Sequence, residues 1–234
     1  MVTKYLKIPW RVRYLISEHF PLFYHFVANL GEDRKDERFW DEAFRVSWQA
    51  GSRDWPTKSR LIQSLTSPSD TILDVGCGTG SILRYLISCG YTDLHGMEVS
   101  QAAVETLSGL GIRMTKGRLP WIPLPDNTFD VVIASQVLEH IVRRGKLVKE
   151  IARVLKPGGR LFVFVPDECM GPIDEPSHVI KYTLDKLQSF LSKYFGSVEV
   201  RRFRDENFTM PILFASAVSG VSPANSEAES PSRR

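Results

Sequence analysis

Short apolar segments alternate with helical segments along the middle of the chain. The apolar, β-favouring segments span residues 71–75, 93–97, 129–134 and 159–165, and segments with helical periodicity span 80–88, 100–109 and 143–155. Strands that alternate with helices of this length predict βαβ units, in which a mostly parallel sheet is covered by helices on both faces. We therefore expect an α/β fold.

The pattern changes after residue 183. Residues 184–195 predict a further helix, and 197–203 and 211–218 predict two strands that lie close enough to form a hairpin. The last 17 residues are rich in Ser, Pro and Ala and have no periodicity, so we expect a disordered tail. The expected division is a helical N-terminal extension or lid at 1–55, a main domain at 56–217 and the tail at 218–234.

The N-terminal extension has a different character. Trp40, Phe44 and Trp48 recur four residues apart, which favours a helix that packs this stripe into the core. Residues 4–30 begin basic and become aromatic, but charged residues and a proline interrupt the apolar run, so we expect no signal peptide. This segment would rest on a membrane surface as a peripheral contact, cap a substrate pocket, or pack on the domain with its basic side in water.

Composition narrows the functional classes only slightly. The chain has 30 basic and 27 acidic residues and a formal net charge of +3, which does not indicate a nucleic-acid-binding protein. The three cysteines, Cys77, Cys89 and Cys169, lack the spacing of a disulfide framework or a tetrahedral zinc site. No apolar run reaches the ~18 residues of a membrane-spanning helix. We therefore expect a cytoplasmic protein without a bound metal.

The sequence ILDVGCGTG at 72–80 places three glycines at alternate positions directly after a predicted strand. The turn after the first strand of an α/β sheet borders the ligand crevice, and residues without a Cβ let a ligand approach the backbone. The last glycine of a dinucleotide fingerprint would fall at Ser81, and no P-loop ending follows. Glu98 ends the next predicted strand, where a carboxylate can accept hydrogen bonds from both ribose hydroxyls. Together these signals predict a nucleoside-containing ligand.

Four ordered motifs, ILDVGCGTG, LHGMEVS, LPDNTFDVVIASQVLEHI and VLKPGGRLFVFVP, resemble those of the class I S-adenosylmethionine-dependent methyltransferases, particularly the subgroup that methylates small molecules and lipids. The likeness spans about residues 60–216. It implies a Rossmann-like, mostly parallel sheet of seven strands whose last strand is antiparallel, and S-adenosyl-L-methionine as the cofactor. It also implies methyl transfer by in-line displacement to a small-molecule or lipid-like acceptor.

The resemblance assigns cofactor contacts residue by residue. Asp74 and the glycine turn would hold the methionine part, Glu98 the ribose and Val99 the adenine. The expected cofactor-binding residues are Asp74, Gly76, Cys77, Gly78, Gly80, Glu98, Val99, Arg118, Leu119, Ser135 and Gln136. A small side chain inside the turn explains Cys77 better than a nucleophile does. Arg118 departs from the family pattern, which usually has an acidic residue there, so either the backbone recognises adenine or Arg118 stacks on it.

Candidate bases for the acceptor are His140, in LEHI, and His178, in DEPSHVIKYT, and Tyr182 is a weaker pocket candidate. A histidine like His140 also occurs in family members with unrelated acceptors, which favours a structural role. The motif of adenine-methylating enzymes is missing at 135–138, and no aromatic residues interleave the basic residues of 143–160. We therefore do not expect a nucleic-acid acceptor. The alternatives are a catalytically inactive scaffold, an RNA or protein methyltransferase, and a nicotinamide-dependent oxidoreductase.

Overall fold

The computed structural model describes residues 9–29, 37–47 and 54–220, and a seven-stranded sheet forms its centre. The strands are β1 (Ile72–Val75), β2 (Leu94–Glu98), β3 (Arg113–Lys116), β4 (Phe129–Ser135), β5 (Leu155–Pro166), β6 (Ser197–Asp205) and β7 (Phe208–Val218). Their order is β3-β2-β1-β4-β5-β7-β6. Only β7 runs antiparallel to its neighbours, β5 and β6. The predicted sheet, its C-terminal hairpin and its antiparallel last strand are therefore confirmed.

The α-helices of the described residues are α1 (Trp10–His19), α2 (Pro21–Ala28), α3 (Glu37–Glu42), α4 (Pro56–Ser64), α5 (Ser81–Ser88), α6 (Gln101–Ser108), α7 (Arg144–Val154) and α8 (Leu184–Leu191). Helices α4 to α8 cover the two faces of the sheet. Alternate residues of β4 point to opposite faces, so Val131 packs with α4, α5 and α6, whereas Val132 packs with α7 and α8. Because both faces are buried, the central strands read as continuous apolar runs.

Two local features were not visible in the hydrophobic pattern. β3 has the sequence RMTK and lies at the sheet edge, partly in solvent, so no apolar run announces it. β5 begins at Leu155 rather than at residue 159, and its pairing with β4 skips from Leu155 to Arg160. Residues Lys156–Gly159 therefore form an irregularity inside this strand.

The N-terminal helices pack onto the segment that follows β5. The side-chain amide of Asn29 donates a hydrogen bond to the carbonyl of Pro176 over 3.0 Å, and the Lys181 ammonium lies 2.8 Å from the Glu18 carboxylate. α1 and α2 keep a cluster of large apolar side chains in solvent. Those at least half exposed are Trp10, Leu15, Phe20, Phe23 and Phe26. No helix among the described residues is long and apolar enough to cross a bilayer.

The expectation that the Trp40 stripe belongs to the core is wrong. α3 contributes no fully buried residue and continues into a π-helical turn at Ala43–Ser47. Its Asp41 carboxylate accepts hydrogen bonds from the Ser100 hydroxyl and the Ala102 amide, which fixes α3 at the start of α6. Trp48 and residues 221–234 of the expected tail lie outside the described residues, and β7 extends to Val218.

Candidate functional site

The glycine turn lies between β1 and α5. Gly76, Gly78 and Gly80 have φ of +67°, +54° and +68°, a region in which other residues are strained. A Cβ on Gly80 would lie 2.5 Å from Leu107 Cδ2, so this glycine lets α5 approach α6. Gly80 lines neither of the cavities described below, and its expected cofactor contact remains a prediction.

Glu98 fastens the turn to the end of β2. Its carboxylate accepts hydrogen bonds from the backbone amides of Gly78 at 2.9 Å, Val99 at 2.7 Å and Ser100 at 3.2 Å. Burial raises the pKa of Glu98, and these three amides oppose the rise. Each carboxylate oxygen has two lone pairs, so Oε1 is filled by Val99 and Ser100, and Oε2 can accept one further donor beside Gly78.

Two adjoining cavities border the turn. The β2-side cavity, about 530 Å³, is lined by Glu98, Val99, Arg118 and Leu119 among others. The β5-side cavity, about 500 Å³, extends from the glycine turn to the segment 170–178. The four residues that line both cavities are Trp40, Gly76, Gln136 and His140. One extended ligand can therefore cross from one cavity to the other over Gly76 and Gln136.

A buried polar group lies in the wall of the β5-side cavity. Asp74 is only 2 % exposed, and its Oδ1 accepts no hydrogen bond from any described residue. Burial raises the pKa of Asp74 to about 8, and the attraction of Lys58 works against this rise. Lys58 is itself 1 % exposed; its ammonium donates to the Ser135 hydroxyl over 2.7 Å and lies 3.6 Å from the Trp55 ring centre. This wall thus offers an acceptor and a cation side by side.

The two candidate histidines meet in the β5-side cavity. The ring centres of His140 and His178 are 4.6 Å apart, and Trp40 packs edge-on against His140 at 5.4 Å. His140 Nδ1 is hydrogen-bonded to the Ser177 carbonyl at 3.2 Å, and His178 Nδ1 to the Met170 carbonyl. Glu139, which precedes His140 in the chain, is 1 % exposed, and burial raises its pKa to about 8.

The mouth of the β2-side cavity carries basic and aromatic side chains. Trp121 is about half exposed, and the Lys146 ammonium lies 3.0 Å from the centre of its ring. Arg118 and Arg143 line the same cavity. The basic run 143–160 has no aromatic residue of its own, and Lys146 finds an aromatic neighbour in Trp121 from another segment. Three others, Arg153, Lys156 and Arg160, are paired with carboxylates.

Most of the expected site residues line one of the two cavities. Those that do are Asp74, Gly76, Cys77, Gly78, Glu98, Val99, Arg118, Leu119, Ser135, Gln136, His140 and His178. Tyr182 lines neither cavity but is buried in the hydrophobic core, contrary to the expectation that it belongs to the pocket. Burial raises the pKa of the Cys77 thiol, which opposes a nucleophilic role.

Sequence reasoning missed Lys58, Trp55 and Glu139. Trp55 and Lys58 lie at the start of α4. The only sequence feature that indicates this start is a proline in the first turn. Glu139 lies inside the motif LEHI, but nothing in that motif shows that its side chain is buried in the folded chain. A buried charge is not visible in a one-dimensional pattern.

Residues 73–163 match the family described as a methyltransferase domain. Among similar proteins, 27-O-demethylrifamycin SV methyltransferase of Amycolatopsis mediterranei is 27 % identical over 64 % of this chain and 59 % of its own length. The tRNA (carboxymethyluridine(34)-5-O)-methyltransferase of Arabidopsis thaliana is 32 % identical over 47 % of this chain and 27 % of its own. The chain thus spans less than two thirds of the length of these relatives.

A solved structure shares the fold. The 1,6-didemethyltoxoflavin-N1-methyltransferase of Burkholderia thailandensis, crystallised with its substrate and S-adenosylhomocysteine, superposes with a TM-score of 0.61 at 17 % identity. The superposition covers 77 % of this chain and 84 % of that one. This likeness supports the fold, since identity at this level does not transfer a substrate.

Proposed function

Because the chain belongs to the class I S-adenosylmethionine-dependent methyltransferases, we propose that it methylates a small-molecule or lipid-like acceptor. The observation that carries this proposal is the pair of adjoining cavities: one fits a nucleoside beside Glu98, and the other brings two imidazoles to its far end. When bound, the cofactor supplies a methyl group already activated on a sulfonium, so the protein needs mainly to align the acceptor and exclude water.

The residues present fit this cofactor. Asp74 Oδ1 is buried without a donor among the described residues, so it suits the ammonium of a methionine moiety, and the Lys58 ammonium beside it suits the carboxylate. Glu98 would accept a hydrogen bond from a ribose hydroxyl at Oε2, the oxygen that has only one amide donor. Gly76 and Gly78 bring the backbone to the junction of the two cavities, where a side chain would obstruct a ligand.

The imidazoles of His140 and His178 are the groups that we propose act on the acceptor. Both line the β5-side cavity, next to Gln136 at the junction. Met170 and Met210 line the same cavity and provide flexible apolar contacts for the acceptor's body.

Titration calorimetry with S-adenosylhomocysteine tests the cofactor part of this proposal. Glu98→Ala should abolish micromolar binding, whereas Glu105→Ala, an exposed carboxylate on α6, should leave it unchanged. Transfer of labelled methyl groups from S-adenosylmethionine to extracts of lipids, small molecules, protein and RNA then identifies the acceptor class. Binding without transfer to any fraction would favour the inactive scaffold.

We further propose that α1 and α2 deliver an apolar acceptor from a membrane surface. Their exposed aromatic side chains belong to helices that Asn29 and Lys181 hold against the segment carrying His178. Vesicle flotation should show binding that is lost in Phe23→Glu/Phe26→Glu. Ile87→Glu, an exposed apolar residue of α5, is the matched control. Equal flotation of all three proteins would refute the membrane contact.

A cytoplasmic location remains part of the proposal. Its support is the three free cysteines, Cys77, Cys89 and Cys169, which suit a reducing compartment.

An RNA acceptor is the second candidate. Its support is the similarity to the tRNA methyltransferase and the cation–π pair of Lys146 and Trp121 at the cavity mouth. Label incorporated into RNA, and lost in Trp121→Ala, would favour this candidate over the lipid-like one.

A further inference from the structure

Three potential metal ligands converge in the β5-side cavity. One ligating atom each of Glu139, His140 and His178 lies within 4.8 Å of the others. Two histidines and one carboxylate form a donor set that binds divalent transition metals and leaves coordination positions open. The expectation of no metal site rested on the cysteines, and this cluster contains none.

The cluster is assembled from two segments that are tied together through the backbone. Glu139 and His140 are adjacent on the 3-10 turn that follows β4, Leu138–His140. His178 comes from the segment between β5 and α8. The amide of Val179 donates a hydrogen bond to the carbonyl of Glu139 over 2.7 Å, which holds the two segments in register.

Glu139 lacks the partner that a buried carboxylate requires. It is 1 % exposed, and neither Oε1 nor Oε2 has a hydrogen-bond partner among the described residues. Buried carboxylates without a donor or cation are costly, so they are found paired or coordinating metals. An ion bound by His140 and His178 would give this carboxylate the cation that it lacks.

Both imidazoles make a hydrogen bond of the kind that ligating histidines make. A carbonyl oxygen can only accept a hydrogen bond, so His140 carries a proton on Nδ1 toward Ser177, and His178 carries one toward Met170. In both rings the lone pair of the neutral form is then on Nε2. A backbone carbonyl on the other ring nitrogen is the usual outer-shell partner of a ligating histidine.

We propose that Glu139, His140 and His178 bind a divalent transition-metal ion, such as Zn²⁺, at the acceptor end of the site. This inference rests on the proposed function and gives the two imidazoles a way to act on the acceptor. Bond lengths to zinc of ~2.0–2.2 Å place ligand atoms about 3.3 Å apart, so the three groups must close inward slightly. His140 is only half buried and can make this movement.

His140 and His178 line the β5-side cavity, so an ion held by them would offer its open positions to an acceptor oxygen there, and this would select acceptors with a hydroxyl or enol group. Coordination lowers the pKa of that hydroxyl, and its proton leaves to solvent water. The bond from the methyl carbon to the cofactor sulfur then breaks as the bond to the acceptor oxygen forms. The acceptor leaves as a methyl ether and the cofactor as S-adenosylhomocysteine.

The test uses the full chain, stripped with a chelator and titrated with Zn²⁺ and with Co²⁺ alone. We expect one ion per chain by calorimetry and the visible absorption bands of a bound Co²⁺. Glu139→Gln and His178→Gln should each weaken binding at least tenfold. Cys169→Ser, which removes a nearby thiol, and His95→Gln, which changes a histidine bonded to Asp93, should retain it.

Binding of S-adenosylhomocysteine serves as the folding control for every variant and separates the two proposals. A chain that binds S-adenosylhomocysteine but takes up no ion, or binds the ion equally in Glu139→Gln, overturns the metal site and leaves the proposed function standing. A chain that binds the ion but not S-adenosylhomocysteine overturns the proposed function instead.

Discussion

The two halves of the site are held together in different ways. The cofactor half is local: the glycine turn and Glu98 follow consecutive strands, and the Gly78 amide donates a hydrogen bond to the Glu98 carboxylate over 2.9 Å. The acceptor half draws on α3, the turn after β4 and the segment 170–178, and it contains a buried carboxylate without a hydrogen-bond partner among the described residues. A rigid local turn fits a shared cofactor, whereas an assembly of distant segments can vary its acceptor.

The largest expected effect tests whether the cofactor half depends on the backbone of the turn. A Cβ at Gly76 would lie 2.9 Å from Val137 Cγ2, which lines the β2-side cavity, and φ is +67° there. Gly76→Val should therefore weaken S-adenosylhomocysteine binding by roughly 100-fold or more, or about 2.7 kcal/mol.

Gly111→Val is the matched control for this change. Gly111 has φ of +81°, but a Cβ added there would meet no atom within 4 Å, so this variant carries the backbone strain without the collision. Thermal unfolding should show that both variants lose stability. Equal loss of S-adenosylhomocysteine affinity in both would mean that strain, not contact with the cavity, governs binding.

The second prediction concerns the pH dependence set by Asp74. Burial raises its pKa to about 8, so the folded, cofactor-free protein keeps a proton that the unfolded chain releases near pH ~4. The stabilisation that the protonated Asp74 gives the folded protein is complete below the pKa of the unfolded chain. It is lost as the pH rises toward 8, the pKa in the folded protein. Asp74→Asn should remove this part, so urea unfolding at pH 5 and 8.5 should show a smaller decline than in the wild type.

Cofactor binding gives a second test of Asp74, because the proposed contact with the cofactor's ammonium requires the ionised carboxylate. The affinity of the wild type for S-adenosylhomocysteine should rise between pH 6.5 and 8.5 relative to that of Asp74→Asn. Parallel profiles for the two proteins would show that another group carries the dependence.

The same contrast explains what the sequence can predict. The glycine turn, Glu98 and the central strands follow from local residue spacing, so the fold and the lining of the β2-side cavity could be predicted. Lys58 and Glu139 have no local signature, since their burial results from packing between segments far apart in sequence. The strand β3 was not predicted, because a strand at the sheet edge is partly exposed and needs no apolar run.

A smaller effect is expected where α1 and α2 are fastened to the acceptor half. The partly buried pair of Lys181 and Glu18, 2.8 Å apart, holds α1 on the segment that carries His178. Lys181→Met should speed amide hydrogen exchange in residues 10–29, consistent with a loss of about 1 kcal/mol, and leave S-adenosylhomocysteine binding unchanged. Arg60→Met, which breaks an exposed pair with Glu206, is the control and should leave that exchange unaltered.

The smallest expected effect concerns adenine recognition, where Arg118 occupies the place in which the family usually has a side-chain acceptor. Arg118 is exposed at the mouth of the β2-side cavity, where stacking on a ring contributes about 0.5–1 kcal/mol. Arg118→Ala should therefore weaken S-adenosylhomocysteine binding about two- to fivefold, by calorimetry. Arg118→Lys keeps the charge but loses the planar group. If Arg118→Lys binds S-adenosylhomocysteine as tightly as the wild type, the effect of Arg118 comes from its charge. If neither variant changes the affinity, the backbone at Gly117 and Arg118 recognises adenine.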